Sequence, residues 1–137
     1  MNNQEWKEEF LENELKLKRI GRTKLFKNSV LIISPALTAN WFGIRPEQKV
    51  LIDEELNAGS RCFLLLRLID KELFLLADYK DIKPMMDNAV PKSGHFHFSL
   101  KQSNTNNYII KNESSENGIK VLPISEEEIK RRIKNEI

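Results

Sequence analysis

Apolar and polar positions follow several rhythms along this chain, and each change of rhythm marks an element. Residues 3–18 put Trp6, Phe10 and Leu17 on one stripe and Leu11 and Leu15 on the next, among Glu and Lys, which predicts an amphipathic helix. Ile20 to Phe26 and Val30 to Ser34 predict a strand pair, the second a β-branched run stopped by Pro35. Trp41-Phe42 falls in the loop before a second helix. Arg45-Pro46-Glu47-Gln48 opens that helix with Pro at the first helical position, where its missing N–H costs nothing, and Gly59 closes it. Val50, Leu51, Ile52 and Leu56 supply its apolar face.

Arg61 to Ile69 and Glu72 to Tyr79 are apolar without alternation, the pattern of strands covered on both faces, and Asp70-Lys71 joins them as a hairpin. Asp81 to Ser93, bearing Pro and Asn, reads as a connection. Strands are predicted at His95 to Lys101, Tyr108 to Lys111 and Ile119 to Leu122. Ser125-Glu126-Glu127-Glu128 is a capping box for a last helix, whose Lys130, Arg131, Arg132 and Lys134 suit the dipole at its C-terminus. This order predicts a mixed α/β (α+β) fold, a central mixed sheet flanked by helices. A single domain over residues 1–137 is expected, its core at about 1–80 and a C-terminal β extension with a capping helix at about 94–137.

The 137 residues, 40% hydrophobic and 31% charged, are enough for a core without disulfide or metal staples. The one cysteine, Cys62, lies in an apolar run and has no partner for an intramolecular disulfide. The N-terminus lacks a basic segment followed by an apolar one, and no run reaches the roughly 20 apolar residues of a bilayer span. A cytoplasmic protein, bacterial or in a host cell if phage-encoded, is expected, with no membrane partner.

A net charge of only +2 moves the electrostatic question to arrangement. Lys16, Lys18, Arg19, Arg22, Lys24 and Lys27 occur with no acid among them, a basic stretch suited to phosphate or to an acidic protein surface.

The stretch Phe42-Gly43-Ile44-Arg45-Pro46-Glu47-Gln48, then Asn57-Ala58-Gly59-Ser60-Arg61-Cys62-Phe63-Leu64-Leu65-Leu66-Arg67, then Glu72-Leu73-Phe74-Leu75-Leu76 resembles Holliday-junction-resolvase-like and VRR-type members of the PD-(D/E)xK nuclease superfamily. The resemblance covers about residues 20–80 and implies a restriction-endonuclease-like sandwich. In that family an Asp on one strand and a Glu-x-Lys on the next hold a Mg²⁺ or Mn²⁺ ion that activates water against a phosphodiester. A loop then leads to a helix bearing a Gln, and an apolar strand pair follows. Here the Asp would fall near Gly21-Arg22-Thr23-Lys24 and the Glu-x-Lys near Val30 to Ala36, and neither carboxylate is present. The resemblance therefore implies a nuclease scaffold without nuclease chemistry, a pseudo-enzyme of phage or mobile-element type. It would bind DNA, branched DNA included, or RNA through the basic stretch with Arg45, Gln48 and Lys49, and act as a homodimer as junction-cleaving members of that family do.

Two other constellations carry chemistry. Asp70, Asp78 and Lys80 on the hairpin offer a displaced metal site for an active endonuclease, against a plain reading as a polar turn and strand end. His95 and His97 would share one strand face and begin a metal site that a carboxylate such as Asp87 would finish, against a plain reading as a solvated face with Phe96 and Phe98 turned to the core. Three functions follow as expectations: nucleic-acid binding on a degenerate nuclease scaffold, metal-dependent cleavage at a rearranged site, and regulation or inhibition of an acidic protein partner.

Overall fold

The computed structural model describes residues 6–20, 25–27, 30–103, 107–112 and 118–135. The described residues form two sheets. The first runs in the order β1 (Lys18–Arg19), β2 (Leu25–Lys27), β3 (Val30–Ile33), β6 (Arg61–Leu68), β7 (Leu73–Asp78), β11 (Pro123–Ile124), with β4 (Ala36–Leu37) pairing the far end of β6. All neighbours are antiparallel except β3 and β4, which lie parallel to β6. The crossover from β3 to β6 carries β4, β5 (Trp41–Ile44) and helix α1 (Pro46–Asn57). The second sheet is antiparallel in the order β10 (Ile119–Val121), β9 (Tyr108–Lys111), β8 (Phe96–Gln102), β5. Helices α2 (Tyr79–Asp87) and α3 (Glu126–Asn135) complete the set. This is the predicted mixed α/β architecture with a mixed sheet and helices.

The continuous apolar runs of β3, β6 and β7 are explained by cover on both faces. Val30, Ile32, Phe63, Leu65, Phe74 and Leu76 pack under the N-terminal segment, through Phe10, Leu11, Leu15 and Leu17, and under Ile129 and Ile133 of α3. Their alternate neighbours Leu31, Ile33, Leu64, Leu66 and Leu75 pack against Ile52 of α1, Ile82 and Met86 of α2, and the inner face of the second sheet. A one-residue slip of β6 would exchange these two sets, so the register is fixed by two cores at once.

Three expectations change. The long N-terminal helix is instead a short helical segment with a π-helical turn at Phe10–Glu14, ended where Lys16 takes a φ of 59°. The segment after Asp78 is not a plain connection but helix α2, started by the Asp78 carboxylate accepting from the Lys80 N–H at 3.0 Å. Pro84 is tolerated in this nine-residue helix because Tyr79, Ile82, Met85 and Met86 anchor one buried face. Trp41-Phe42 belongs to a strand, β5, rather than a loop. Among the described residues, no helix is long and apolar enough to cross a membrane.

Candidate functional site

The C-terminal end of β3, the residues after it, β5 and the start of α1 enclose an open cleft of about 490 Å³. Its walls include Ile33, Pro35, Thr38, Trp41, Gly43, Arg45, Gln48 and His95. Each polar group is placed by a local rule. Pro46 starts α1, and the buried Gln48, three residues after Arg45, turns its Oε1 back to accept the Arg45 N–H at 2.7 Å. That cap fixes the backbone from which the Arg45 side chain, 42% exposed, leaves the helix; its Nε lies 3.6 Å from Glu47 at the rim. His95 follows a turn through Ser93 and Gly94, both at positive φ, and its Nδ1 lies 3.1 Å from the Ser93 carbonyl. Gly43 makes room for this imidazole: a Cβ there would stand 2.8 Å from His95 Cδ2 and 3.0 Å from His95 Cβ.

Along β5 the side chains divide cleanly. Phe42 turns inward and stacks on Phe98 at 5.0 Å, while Trp41, 49% exposed, stacks on His97 at 5.1 Å with 23° between the ring planes. His95 and His97 are brought together, ring centroids 5.9 Å apart. Phe96 and Phe98 do face the core, and His97 is exposed.

The lining of this cleft contains no Asp or Glu, and among the described residues no group of three His, Cys, Asp or Glu is arranged to hold a metal. Mg²⁺ and Mn²⁺ need several oxygen donors, carboxylates foremost. The donor set of the cleft therefore does not fit such an ion. Asp70 and Asp78 stand apart, the first in the exposed turn before β7 and the second at the strand's far end. Asp78 accepts from Arg61 at 2.7 Å as well as capping α2, and Lys80 is exposed in the first turn of that helix.

The expected nucleic-acid-binding residues are divided between the two ends of α1. Arg45 and Gln48 border the cleft, although Gln48 spends its oxygen on the cap. Lys49 bridges Asp53 at 2.7 Å and Asp87 at 2.9 Å. Burial works against its ammonium, and the hydrogen bonds to both carboxylates outweigh that and raise its pKa. At the other end Lys27 pairs with Glu55 at 2.9 Å, and Arg19 with Glu8 and, at 4.0 Å, Glu12. Lys16 and Lys18 are exposed, and Arg22 and Lys24 lie outside the described residues. The basic stretch thus loses part of its free charge to acids distant in sequence. Cys62 is buried, and that burial, with Asp78, Asp53 and Glu55 adding, pushes its thiol pKa far up, so it is no nucleophile. The chain matches no family model, no curated protein and no solved structure.

Proposed function

We propose that this chain is a nucleic-acid-binding domain on a restriction-endonuclease-like scaffold that lacks the metal-dependent cleavage site. The observation that carries the reading is the cleft at the end of β3. It lies where the resemblance would put the Glu-x-Lys, and its polar groups are Arg45, Gln48, Thr38 and His95 rather than carboxylates. A cation with hydrogen-bond donors and no negative lining attracts phosphate and disfavours a divalent ion. The order of elements adds support: two antiparallel strands, a crossover through the Gln-bearing helix, then the apolar pair β6–β7, of which β6 lies parallel beside β3.

Fluorescence anisotropy of labelled duplex and four-way-branched DNA, without divalent metal and at two salt concentrations, tests this directly. Binding should weaken as salt rises, and Arg45→Glu should cost about tenfold in affinity and reduce the salt slope by about one phosphate contact. Affinity unchanged by Arg45→Glu would remove the cleft from the interface.

A further inference from the structure

The second sheet has two unlike faces. Phe42, Ile44, Phe96, Phe98, Leu100, Tyr108, Ile110 and Val121 turn inward to the core. The opposite face follows from the register: Trp41 pairs with Ser99 and Ser99 with Lys111, while Lys101 pairs with Ile109 and Ile109 with Lys120. Paired residues share a face, so Trp41, His97, Lys101, Lys111 and Lys120 all point outward. Trp41, His97, Lys101 and Lys120 are exposed, and Lys111 is half-buried. None of the described outward positions on these four strands is Asp or Glu. Residues 113–117 of the β9–β10 connection, which include Glu113 and Glu116, lie outside the described residues.

An antiparallel sheet presenting an exposed indole, an imidazole stacked on it and three lysines across about 15 Å of strand width has the two elements of single-strand recognition. The aromatic face accepts any base, and the ammonium groups track the phosphates. Duplex DNA offers no unstacked base to Trp41, so it could use only the lysines. The face also borders the cleft, because Trp41 lines both.

We infer that the outer face of the second sheet is a platform for an unpaired polynucleotide, with one base stacked on Trp41 against His97 and the backbone led across Lys101, Lys111 and Lys120. The inference rests on the nucleic-acid reading above and adds the strandedness of the ligand and a surface outside the cleft.

The test is anisotropy of the full chain with labelled 15-mers of oligo-dT, oligo-rU and a mixed-sequence duplex, at two salt concentrations. The variants are Trp41→Ala, the triple change of Lys101, Lys111 and Lys120 to Gln, and Arg45→Glu, each checked by circular dichroism. A single strand of either sugar should bind more tightly than the duplex, and the tighter of the two names the source. Trp41→Ala should weaken single-strand binding about tenfold, and the triple variant should lower the salt slope by about two, near 0.7 for each lost phosphate contact. As a readout that needs no loss-of-binding variant, single strands should quench Trp41 emission in a Trp6→Phe background. Duplex binding that depends on Arg45, with no single-strand preference and no quenching of Trp41, overturns the platform and leaves the cleft reading standing. No binding to any of the three overturns both.

Discussion

Arg67 is the last residue but one of β6, fully enclosed, and follows the apolar run Cys62 to Leu66. Its Nη1 donates to the Trp6 carbonyl at 2.7 Å, its Nη2 to the Ser34 carbonyl at 2.8 Å and its Nε to Ser34 Oγ at 3.0 Å. Glu8 lies 3.8 Å away and also pairs with Arg19. Arg67→Met keeps the volume and removes the donors. Each carbonyl left buried without a donor costs about 1–3 kcal/mol, so the two together cost about 2–6 kcal/mol. In the other direction, burial opens a gap below the ordinary guanidinium pKa, lowering that of Arg67 to about 10, Glu8 opposing and Arg19 adding to the fall. That gap is a burial penalty of roughly 3 kcal/mol that Met does not carry. The balance spans about −1 to +3 kcal/mol, centred on a loss of about 1 kcal/mol for Arg67→Met, and Arg67→Ala adds a cavity worth about 2–4 kcal/mol more. Urea denaturation at pH 7, followed by circular dichroism, should rank wild type above Arg67→Met and Arg67→Met well above Arg67→Ala. A Met variant as stable as wild type would refute the claim that the two carbonyls need the guanidinium. An Ala variant equal to Met would refute the packing half of the argument.

Further outcomes follow from other sites. Gly43→Ala should destabilise by about 1–2 kcal/mol, because the close atoms include His95 Cβ as well as the ring and the strand itself must yield; unchanged denaturation with an unmoved His95 NMR signal would contradict this. Hydrogen bonds from Lys83 and Lys49 hold the Asp87 carboxyl below its ordinary pKa. A folded-state pKa below the unfolded one gives stability that is complete above the unfolded value and lost as pH falls through the folded one. Asp87→Asn should therefore lower stability at pH 7 by under about 1 kcal/mol, since the pair is partly exposed, and should flatten the decline of stability below pH 4. A decline as steep as in wild type would show that Asp87 contributes nothing to it.

Much of this architecture can be read from residue order, because each legible element carries a local signal. Pro46 and Gly59 bracket α1; Gly59 takes a φ of 94°, and Ser60 N–H reaches back to the Glu55 carbonyl at 3.0 Å. Ser125 Oγ accepts the Glu128 N–H at the start of α3, as the capping box requires. Helix α2 was hidden by Pro84, although the spacing of Tyr79, Ile82, Met85 and Met86 gives one buried stripe. The alternation of Trp41 and Phe42 with Gly43 and Ile44 also has the period of a strand, but four residues are too few to distinguish it from a loop. The cleft was legible at Arg45 and Gln48 and missed at Gly43, whose role appears only when His95 is folded beside it. The outward lysines of the second sheet are far apart in the chain, so only strand pairing makes them a group. For the same reason the basic stretch looked freer than it is, since Glu55 lies 28 residues from Lys27.

The Arg67–Trp6 contact also dictates an order of events during synthesis. The two residues are 61 apart in sequence, and the aromatic residues of the N-terminal segment, Trp6 and Phe10, share a ring partner in Phe74, at 5.4 Å from each. This segment leaves the ribosome before β6 and β7 and docks only after them, with Phe10 and Leu11 uncovered until both strands have emerged. For that interval the nascent chain presents an apolar segment of the kind chaperones hold, and its protection depends on how quickly the central hairpin forms.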